Sequence, residues 1–183
     1  MNIEIEARYI DVNPKELVKK AVALGGKDTG EHLLEETIFY DKDLSWSPKG
    51  RYARIRSYNG RHVFTHKQIS GDTIDGAEEI EFTVDDPAQL KAFLEKMELV
   101  PFRVQQKKRH KIIFDGVVLD IDSWPLIPPM LEIEGDSEEQ VKEMAEKLGF
   151  NWENALFIDP KKIIENYGYD VSNFRYFTFD KCE

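Results

Sequence analysis

The chain has 183 residues, of which 41% are hydrophobic, so it can form a core, and we expect a single domain over residues 1–183. Its 35 acidic and 25 basic residues give a net charge of −10, which excludes a general nucleic-acid binder, because such proteins need an excess of basic surface. An acidic N-terminus, the lack of an apolar run of about 18 residues and a single cysteine, Cys182, predict a cytoplasmic protein with no membrane segment, disulfide or thiolate metal site.

The predicted elements are strands, where apolar residues recur with period two, and helices, where they recur at i, i+3 and i+4. In chain order they are a strand at 2–9, a helix from Asn13 to Gly25, strands at 36–41, 51–58, 62–68 and 78–84, a helix from Asp86, strands at 103–114, 117–123 and 130–135, a helix from Ser137 to Gly149, and a tail, 152–183, with one short helix at 160–166. This order predicts an α+β fold with about eight strands, many of them in hairpins.

The three main helices have recognisable starting signals. Asn13 and Asp86 are capping residues, and each is followed by a proline, which is favoured at the first helical position. Ser137 begins a capping box that Gln140 completes. Each helix then carries an apolar stripe, which predicts that one side of it packs against a core.

Paired charges mark the strands. The tripeptide Glu-Ile-Glu occurs at 4–6, 79–81 and 132–134, each time shortly before a helix start. Because residues i and i+2 of a strand point to the same side, each tripeptide places two carboxylates on one side and an isoleucine on the other. Pairs of like charges also occur at 54 and 56, at 107 and 109, and at 120 and 122.

These charged faces permit two arrangements. In the first, ordinary antiparallel strands turn their polar faces to water. In the second, helices cover the apolar faces, and the charged faces turn into a closed antiparallel barrel of about eight strands, whose interior holds a small ligand. We expect the second arrangement, because acids and bases are concentrated on different strands. Such an interior must be wet and paired, or hold metal and an anionic ligand, since isolated buried charge is very costly.

The side-chain types of this interior predict its chemistry. Clustered carboxylates without cysteine or histidine partners suit Mg²⁺ or Mn²⁺, which prefer oxygen ligands. Clustered arginine and lysine suit phosphate oxygens. The two together describe a metal–polyphosphate site in which a water or an intramolecular hydroxyl attacks phosphorus, with no covalent protein nucleophile.

The motifs resemble those of the CYTH superfamily, also called triphosphate tunnel metalloenzymes. The family's first-strand motif, E-x-E-x-K, corresponds to Glu4, Glu6 and Arg8. Its later motifs correspond, in order, to Arg54 and Arg56, Lys67, Glu79 and Glu81, Lys107 and Arg109, Asp120 and Asp122, and Glu132 and Glu134. The resemblance covers roughly residues 1–170 and implies a tunnel of about eight antiparallel strands with a divalent metal and a triphosphate bound inside.

The resemblance also implies a role for each position. The implied catalytic residues are Glu4, Glu6 and Arg8. The implied phosphate-binding residues are Arg8, Arg54, Arg56, Lys67, Lys107 and Arg109. The implied metal ligands are Glu4, Glu6, Glu79, Glu81, Asp120, Asp122, Glu132 and Glu134, with Asp122 slightly preferred over Asp120 because it is nearer the strand end.

Two positions depart from the family pattern. The lysine of the first motif is replaced by Arg8, which keeps the positive charge but does not readily lose a proton. Ala77 stands two residues before the central Glu79, where the family often has a basic residue. The first change argues against an acid–base role at that position, and the second removes one phosphate contact.

The leading hypothesis for function is a divalent-metal-dependent hydrolase of tripolyphosphate, thiamine triphosphate or a nucleoside triphosphate. The first alternative is a class IV adenylyl cyclase that converts ATP into cyclic AMP and pyrophosphate. The second is a polyphosphate or nucleotide binding module without turnover. Trp46, Trp124 and the aromatic residues of the tail are candidates for stacking on a base, and Lys161 and Lys162 for closing the tunnel. The sequence leaves open whether the chain forms a homodimer.

Overall fold

The computed structural model describes residues 2–183. Its strands are β1 (Asn2–Tyr9), β2 (Lys27–Asp41), β3 (Arg51–Tyr58), β4 (Arg61–Ile69), β5 (Ala77–Thr83), β6 (Leu99–Ile113), β7 (Val117–Ser123), β8 (Met130–Gly135) and β9 (Tyr176–Phe177). Its helices are α1 (Pro14–Ala23), α2 (Pro87–Lys96), α3 (Glu138–Lys147) and α4 (Pro160–Asn166). Asn13, Asp86 and Ser137 cap the first three helices with their side chains, as their sequence signals predict.

Eight antiparallel strands form a closed barrel in the order β2-β3-β4-β5-β1-β8-β7-β6. A long pairing between β6 and β2, from Lys27↔Ile113 to Asp41↔Leu99, closes it. The short strand β9 adds to β6 in parallel, outside this closed ring. The predicted barrel is therefore confirmed, and the alternative of strands with their polar faces in water is wrong.

The helices cover the outside of the barrel and turn its charged faces inward. Helices α1 and α3 pack on the outer apolar face of β1, β7 and β8, with Ala21 and Val141 fully buried in that core. Helix α2 places Leu94 against Phe39 and Ala53 on the opposite side. Successive residues of a strand point to opposite faces, so when the apolar residues face the helices, the charged residues between them point into the barrel interior.

Two strands are longer than the sequence predicts. Strand β2 begins at Lys27 rather than at residue 36, because an irregularity between Asp28 and Glu31 breaks the period-two pattern of its first half. Strand β6 begins at Leu99 rather than at residue 103. It tolerates Pro101 because the register shifts between Ile38 and Phe39 of the partner strand. Both extensions depend on the β2–β6 pairing, which joins residues far apart in sequence.

The C-terminal segment, residues 152–183, packs across one end of the barrel. Its short helix α4 matches the predicted range 160–166. Ile163, Ile164 and Val171 form an apolar cluster with Trp124 and Phe177. None of the helices in residues 2–183 has both the length and the apolar character needed to cross a membrane.

Candidate functional site

A cavity of about 860 Å³ lies inside the barrel, lined by residues from all eight strands of the closed ring. The candidate residues that line it are Glu4, Glu6, Arg8, Arg54, Arg56, Lys67, Glu79, Glu81, Lys107, Arg109, Asp120, Glu132 and Glu134. Asp122 is the remaining candidate, and it is fully buried in the barrel wall. The structure thus brings together side chains from opposite ends of the sequence.

The first group in the wall is the paired network, in which each cation has a carboxylate partner. Its members are Arg8, Lys107, Arg109, Asp120, Asp122 and Glu132. Asp122 accepts hydrogen bonds from Arg109 Nε at 2.7 Å and from Lys107 Nζ at 2.7 Å. Arg109 also donates to Asp120. Both Asp122 oxygens are therefore engaged, whereas Asp120 Oδ1 has no hydrogen-bond partner among the described residues.

Arg8 is held on three sides within this network. Its Nη2 lies 2.5 Å from Glu6 Oε1, and its Nε donates to Glu132 Oε2 at 2.9 Å. Its Nη1 donates to the carbonyl oxygen of Ile158 in the C-terminal segment at 3.0 Å. Burial alone would lower the pKa of Arg8, but Glu6 and Glu132 raise it above its ordinary value. Arg8 is therefore a fixed cation that orients two carboxylates.

A second group of carboxylates surrounds Lys67. Lys67 Nζ lies 2.6 Å from Glu4 Oε2 and 3.0 Å from Glu79 Oε1. Glu6 Oε1 is farther away, at 3.9 Å. Ala77 is the strand partner of Glu4 and brings no charge, so Lys67 alone forms a salt bridge with Glu4 among the described residues. Carboxylates thus outnumber cations on this side of the cavity.

The pKa values of two glutamates reflect this excess of negative charge. Burial, opposed by Lys67 and reinforced by Glu6 and Glu79, raises the pKa of Glu4 to about 8. Burial, together with the carboxylates of Glu132 and Glu6, raises the pKa of Glu134 to about 7. A bound cation would relieve both effects by favouring the charged forms.

These oxygens fit a hard divalent cation by their chemistry. Glu4, Glu6, Glu79 and Glu134 offer only carboxylate oxygen, the ligand that Mg²⁺ and Mn²⁺ prefer. Within residues 2–183, no three acidic, histidine or cysteine side chains already converge as a metal site. In the described conformation, three of these carboxylates converge instead on the ammonium of Lys67. A bound cation would therefore help Lys67 to neutralise these three carboxylates.

The arginine wall is the third group, and it consists of Arg54, Arg56 and Arg103 around the buried carboxylate of Glu36. Arg56 Nε donates to Glu36 Oε1 at 2.8 Å, and Arg54 Nη1 lies 3.5 Å from the same oxygen. The other Glu36 oxygen accepts from Gln105 Nε2 at 2.6 Å. One carboxylate therefore serves two arginines, and positive charge is in excess on this side of the cavity.

Several of these residues were not predicted from the sequence. Glu36 shares the inward face of β2 with Ile38 and Tyr40, so its strand shows no charged pair. Arg103 and Gln105 continue the period of Lys107 and Arg109 on β6, and this alternation was a usable signal. The charged and amide residues of the cavity lining that were not predicted are Glu36, Arg51, Arg103, Gln105, Lys111, Asp136 and Asp159.

The candidate aromatic residues have other partners. Lys107 Nζ lies 5.1 Å from the ring centre of Trp124, so it covers one face of that ring. Trp46 is covered by Arg51 at 5.3 Å. The aromatic residues of the tail pack mainly on Trp124 and Phe177. Lys161 lines the cavity, whereas Lys162 binds the exposed carboxylate of Asp72 at 2.5 Å.

Comparisons with known proteins agree with this architecture. The model of the CYTH domain family matches residues 2–166. No curated protein gave a significant match. Among solved structures, the PH1012 protein of Pyrococcus horikoshii OT3 is 22% identical, with a TM-score of 0.72 over 85% of this chain and 96% of its own.

Two further structures carry activities in their names. A Vibrio parahaemolyticus protein named for a proposed adenylate cyclase activity has a TM-score of 0.75 at 14% identity, covering 90% of this chain and 98% of its own. The Hippeastrum protein HpAC1, a proposed adenylyl cyclase reported with a dominant triphosphatase activity, has a TM-score of 0.64 at 18% identity. That match covers 90% of this chain and 96% of HpAC1. At these identities the likeness concerns the fold.

Proposed function

Because this chain belongs to the CYTH domain family, we propose that it is a divalent-metal-dependent triphosphatase whose substrate is bound inside the barrel. The observation that carries this proposal is the division of one cavity into an acidic side and a basic side. Glu4, Glu6 and Glu79 lie on the first, and Arg54 and Arg56 on the second. A metal–polyphosphate complex has the matching distribution of charge.

The arginine wall is suited to hold the phosphate chain. Glu36 fixes the guanidinium of Arg56 through Nε, and the Arg56 side chain lines the cavity. Arginine in this position offers a planar pair of donors that matches two phosphate oxygens. We assign substrate binding chiefly to Arg54 and Arg56. Lys107 and Arg109 already bind Asp122, and we assign them to stabilising the paired network of the barrel wall.

The acidic side is suited to hold Mg²⁺ or Mn²⁺, with Glu4, Glu6, Glu79 and Glu134 as the residues that would bind it. When bound, such a cation neutralises phosphate oxygens and activates the attacking oxygen. Arg8 keeps the Glu6 carboxylate oriented through the contact at 2.5 Å. Arg8 itself is too strongly basic to act as a general base, so its part is to position Glu6.

The aromatic residues favour a substrate without an organic group. The two tryptophans that were candidates for base stacking are covered by Lys107 and Arg51. A cavity with charged walls, whose two candidate stacking tryptophans each have a cation against one face, suits inorganic tripolyphosphate better than ATP or thiamine triphosphate. The adenylyl cyclase is the alternative, and its distinguishing product is cyclic AMP.

Two further properties belong to the same proposal. We propose that residues 1–183 act as one domain, with the segment 152–183 closing one end of the cavity. We also propose a cytoplasmic location, where the lone Cys182 stays reduced. Dimer formation is left to a measurement of mass in solution.

The test is an assay of tripolyphosphate, thiamine triphosphate and ATP, each with Mg²⁺ or Mn²⁺ and with all products identified. We expect phosphate release, fastest from tripolyphosphate. Cyclic AMP with pyrophosphate from ATP would establish the cyclase instead, and binding without any product would leave only a binding module.

Two neighbouring glutamates of β5 provide a matched pair of variants. Glu79 points into the cavity and Glu78 points out of it. We expect Glu79→Gln to lower the rate at least about tenfold, because it removes an anionic oxygen beside Lys67, and Glu78→Gln to leave it unchanged. Equal rates for the two variants would place the reaction outside the barrel.

A further inference from the structure

Arg103 on β6 is a buried arginine of the cavity wall whose charge is not balanced by a carboxylate. Its exposed fraction is 5%, and it lines the cavity. Its Nε donates to Gln105 Oε1 at 2.8 Å, and its Nη1 donates to the carbonyl oxygen of Val171 at 3.0 Å. Both partners are uncharged. Among the ion pairs within 4.0 Å in residues 2–183, none includes Arg103.

The other buried arginines of the cavity differ in this respect. Arg8 contacts Glu6 and Glu132, and Arg109 contacts Asp120 and Asp122. Carboxylates raise the pKa of each of those two guanidinium groups, against the effect of burial. At Arg103 burial prevails and lowers the pKa. A buried cation without a counter-ion is costly, and an anionic ligand would remove that cost.

The strand register shows where Arg103 lies relative to the proposed phosphate site. Ile38 of β2 is the partner of Arg54 on one side and of Arg103 on the other. Arg56 and Gln105 flank Glu36 in the same way, one inward-facing position farther along β2. Arg103 therefore lies level with Arg54, on the other side of β2, and roughly 7 Å along the strand from Arg56, where it contacts the C-terminal segment through Val171.

Further cations lie at this end of the cavity. Arg51 and Lys161 line it, and Lys161 has only a distant partner, Glu165, at 3.7 Å. One carboxylate, Asp159, also lines this end, and its oxygens are more than 4.0 Å from Arg103. The excess of positive charge at Arg54 thus continues across β2 to Arg103, and two further cations, Arg51 and Lys161, line the cavity without being assigned to the triphosphate.

We propose that Arg103 forms an additional anion subsite that binds a further phosphoryl group, so that the cavity accepts linear polyphosphates longer than three phosphoryl groups. The proposal rests on the proposed function and extends its substrate class. Two hydrogen bonds fix the Arg103 side chain, so its remaining nitrogen, Nη2, is oriented before a ligand arrives, and little ordering is needed on binding. A fourth phosphoryl group would supply the missing counter-charge.

The test compares the affinities of pyrophosphate, tripolyphosphate and tetrapolyphosphate, measured by calorimetry without divalent metal so that no turnover occurs. In the wild-type protein we expect tetrapolyphosphate to bind about tenfold more tightly than tripolyphosphate, through one more charge-assisted contact. In Arg103→Gln this gain should disappear, while the affinity for pyrophosphate stays within about twofold.

Arg175 provides the matched control. It also ties the C-terminal segment to β6, by donating to the carbonyl oxygens of Pro101 and Phe102, but it does not line the cavity. Arg175→Gln should keep the full gain for tetrapolyphosphate. If Arg175→Gln loses the gain as well, the effect comes from a loosened C-terminal segment, and the subsite is refuted.

Two further results would overturn the proposal. One is wild-type protein that binds tetrapolyphosphate no better than tripolyphosphate. The other is an Arg103→Gln variant that weakens all three ligands equally. Neither result touches the triphosphatase proposal, which the phosphate-release assay tests separately. If Arg103→Gln does not fold, Arg103→Lys is used in its place. The preference for tetrapolyphosphate over tripolyphosphate should then fall severalfold, because lysine keeps the charge but lacks the planar guanidinium that two hydrogen bonds hold in place.

Discussion

The paired network and the arginine wall are built from the same residue types in one barrel, but their charges are balanced differently. In the paired network, Arg109 alone contacts three carboxylates, of Asp120, Asp122 and Glu132. In the arginine wall, Glu36 serves two arginines and Arg103 has no carboxylate. A binding site is therefore not identified by the number of buried arginines. It is identified by the buried arginines that have too few carboxylates beside them to neutralise their charge.

The largest expected effect lies in the paired network. Asp122→Asn would leave Lys107 and Arg109 buried with less counter-charge, and removal of one partner from a buried ion pair costs about 3–5 kcal/mol. Urea unfolding should therefore show a large loss in the free energy of unfolding. A loss below about 1 kcal/mol would mean that this network is solvated, contrary to its burial.

A smaller effect, on binding rather than on stability, is expected in the arginine wall. Arg56→Ala removes a phosphate contact and leaves Glu36 with Arg54 and Gln105, so tripolyphosphate affinity should fall about tenfold or more, with a smaller loss of stability than in Asp122→Asn. Calorimetry and the apparent KM measure it. Arg61→Ala, at an exposed position of β4, removes the same charge outside the cavity. If it weakens binding equally, net charge alone explains the effect.

The excess of acid opposite the arginine wall gives a third prediction, which depends on pH. The pKa of Glu134 is about 7 in the folded protein, above its ordinary value of 4.5. Between these values the folded state holds a proton that the unfolded state has lost, so stability falls as the pH rises. Glu134→Gln removes this penalty. Without metal, its melting temperature should exceed that of the wild type at pH 8 and equal it near pH 4.

The same variant should need more metal for activity, because it lacks one anionic ligand. Glu95→Gln is the control, since it removes an exposed carboxylate of α2. A Glu134→Gln variant with unchanged metal requirement and unchanged melting temperature at pH 8 would show that Glu134 faces solvent.

The smallest effect is expected for an ion pair outside the barrel. Lys42 and Glu98 lie 2.7 Å apart, but their side chains are 54% and 69% exposed. Lys42→Ala should change the free energy of unfolding by less than about 1 kcal/mol. A change as large as that of Asp122→Asn would remove the distinction between buried and exposed pairs on which the comparison depends.

Much of the fold follows from local patterns. The alternation of charged and apolar residues locates the strands, and the capping residues Asn13, Asp86 and Ser137 locate the helix starts. The first half of β2 could not be found in this way, because an irregularity near Gly30 interrupts its period. Its extended form is stabilised by β6, whose residues are distant in sequence.

By itself, the sequence determined that paired charges share strand faces and that helices must cover the opposite faces. Closure of the barrel was the expected consequence, since a charged face turned away from water needs an enclosed, paired interior, but strands with their polar faces in water fitted the same pattern until the β2–β6 pairing excluded them. Only the tertiary structure decided which cation meets which carboxylate. It neutralised Arg109 with residues of β7 and β8 and left Arg103 without an acid, because strand register, rather than residue type, sets the distance between charges.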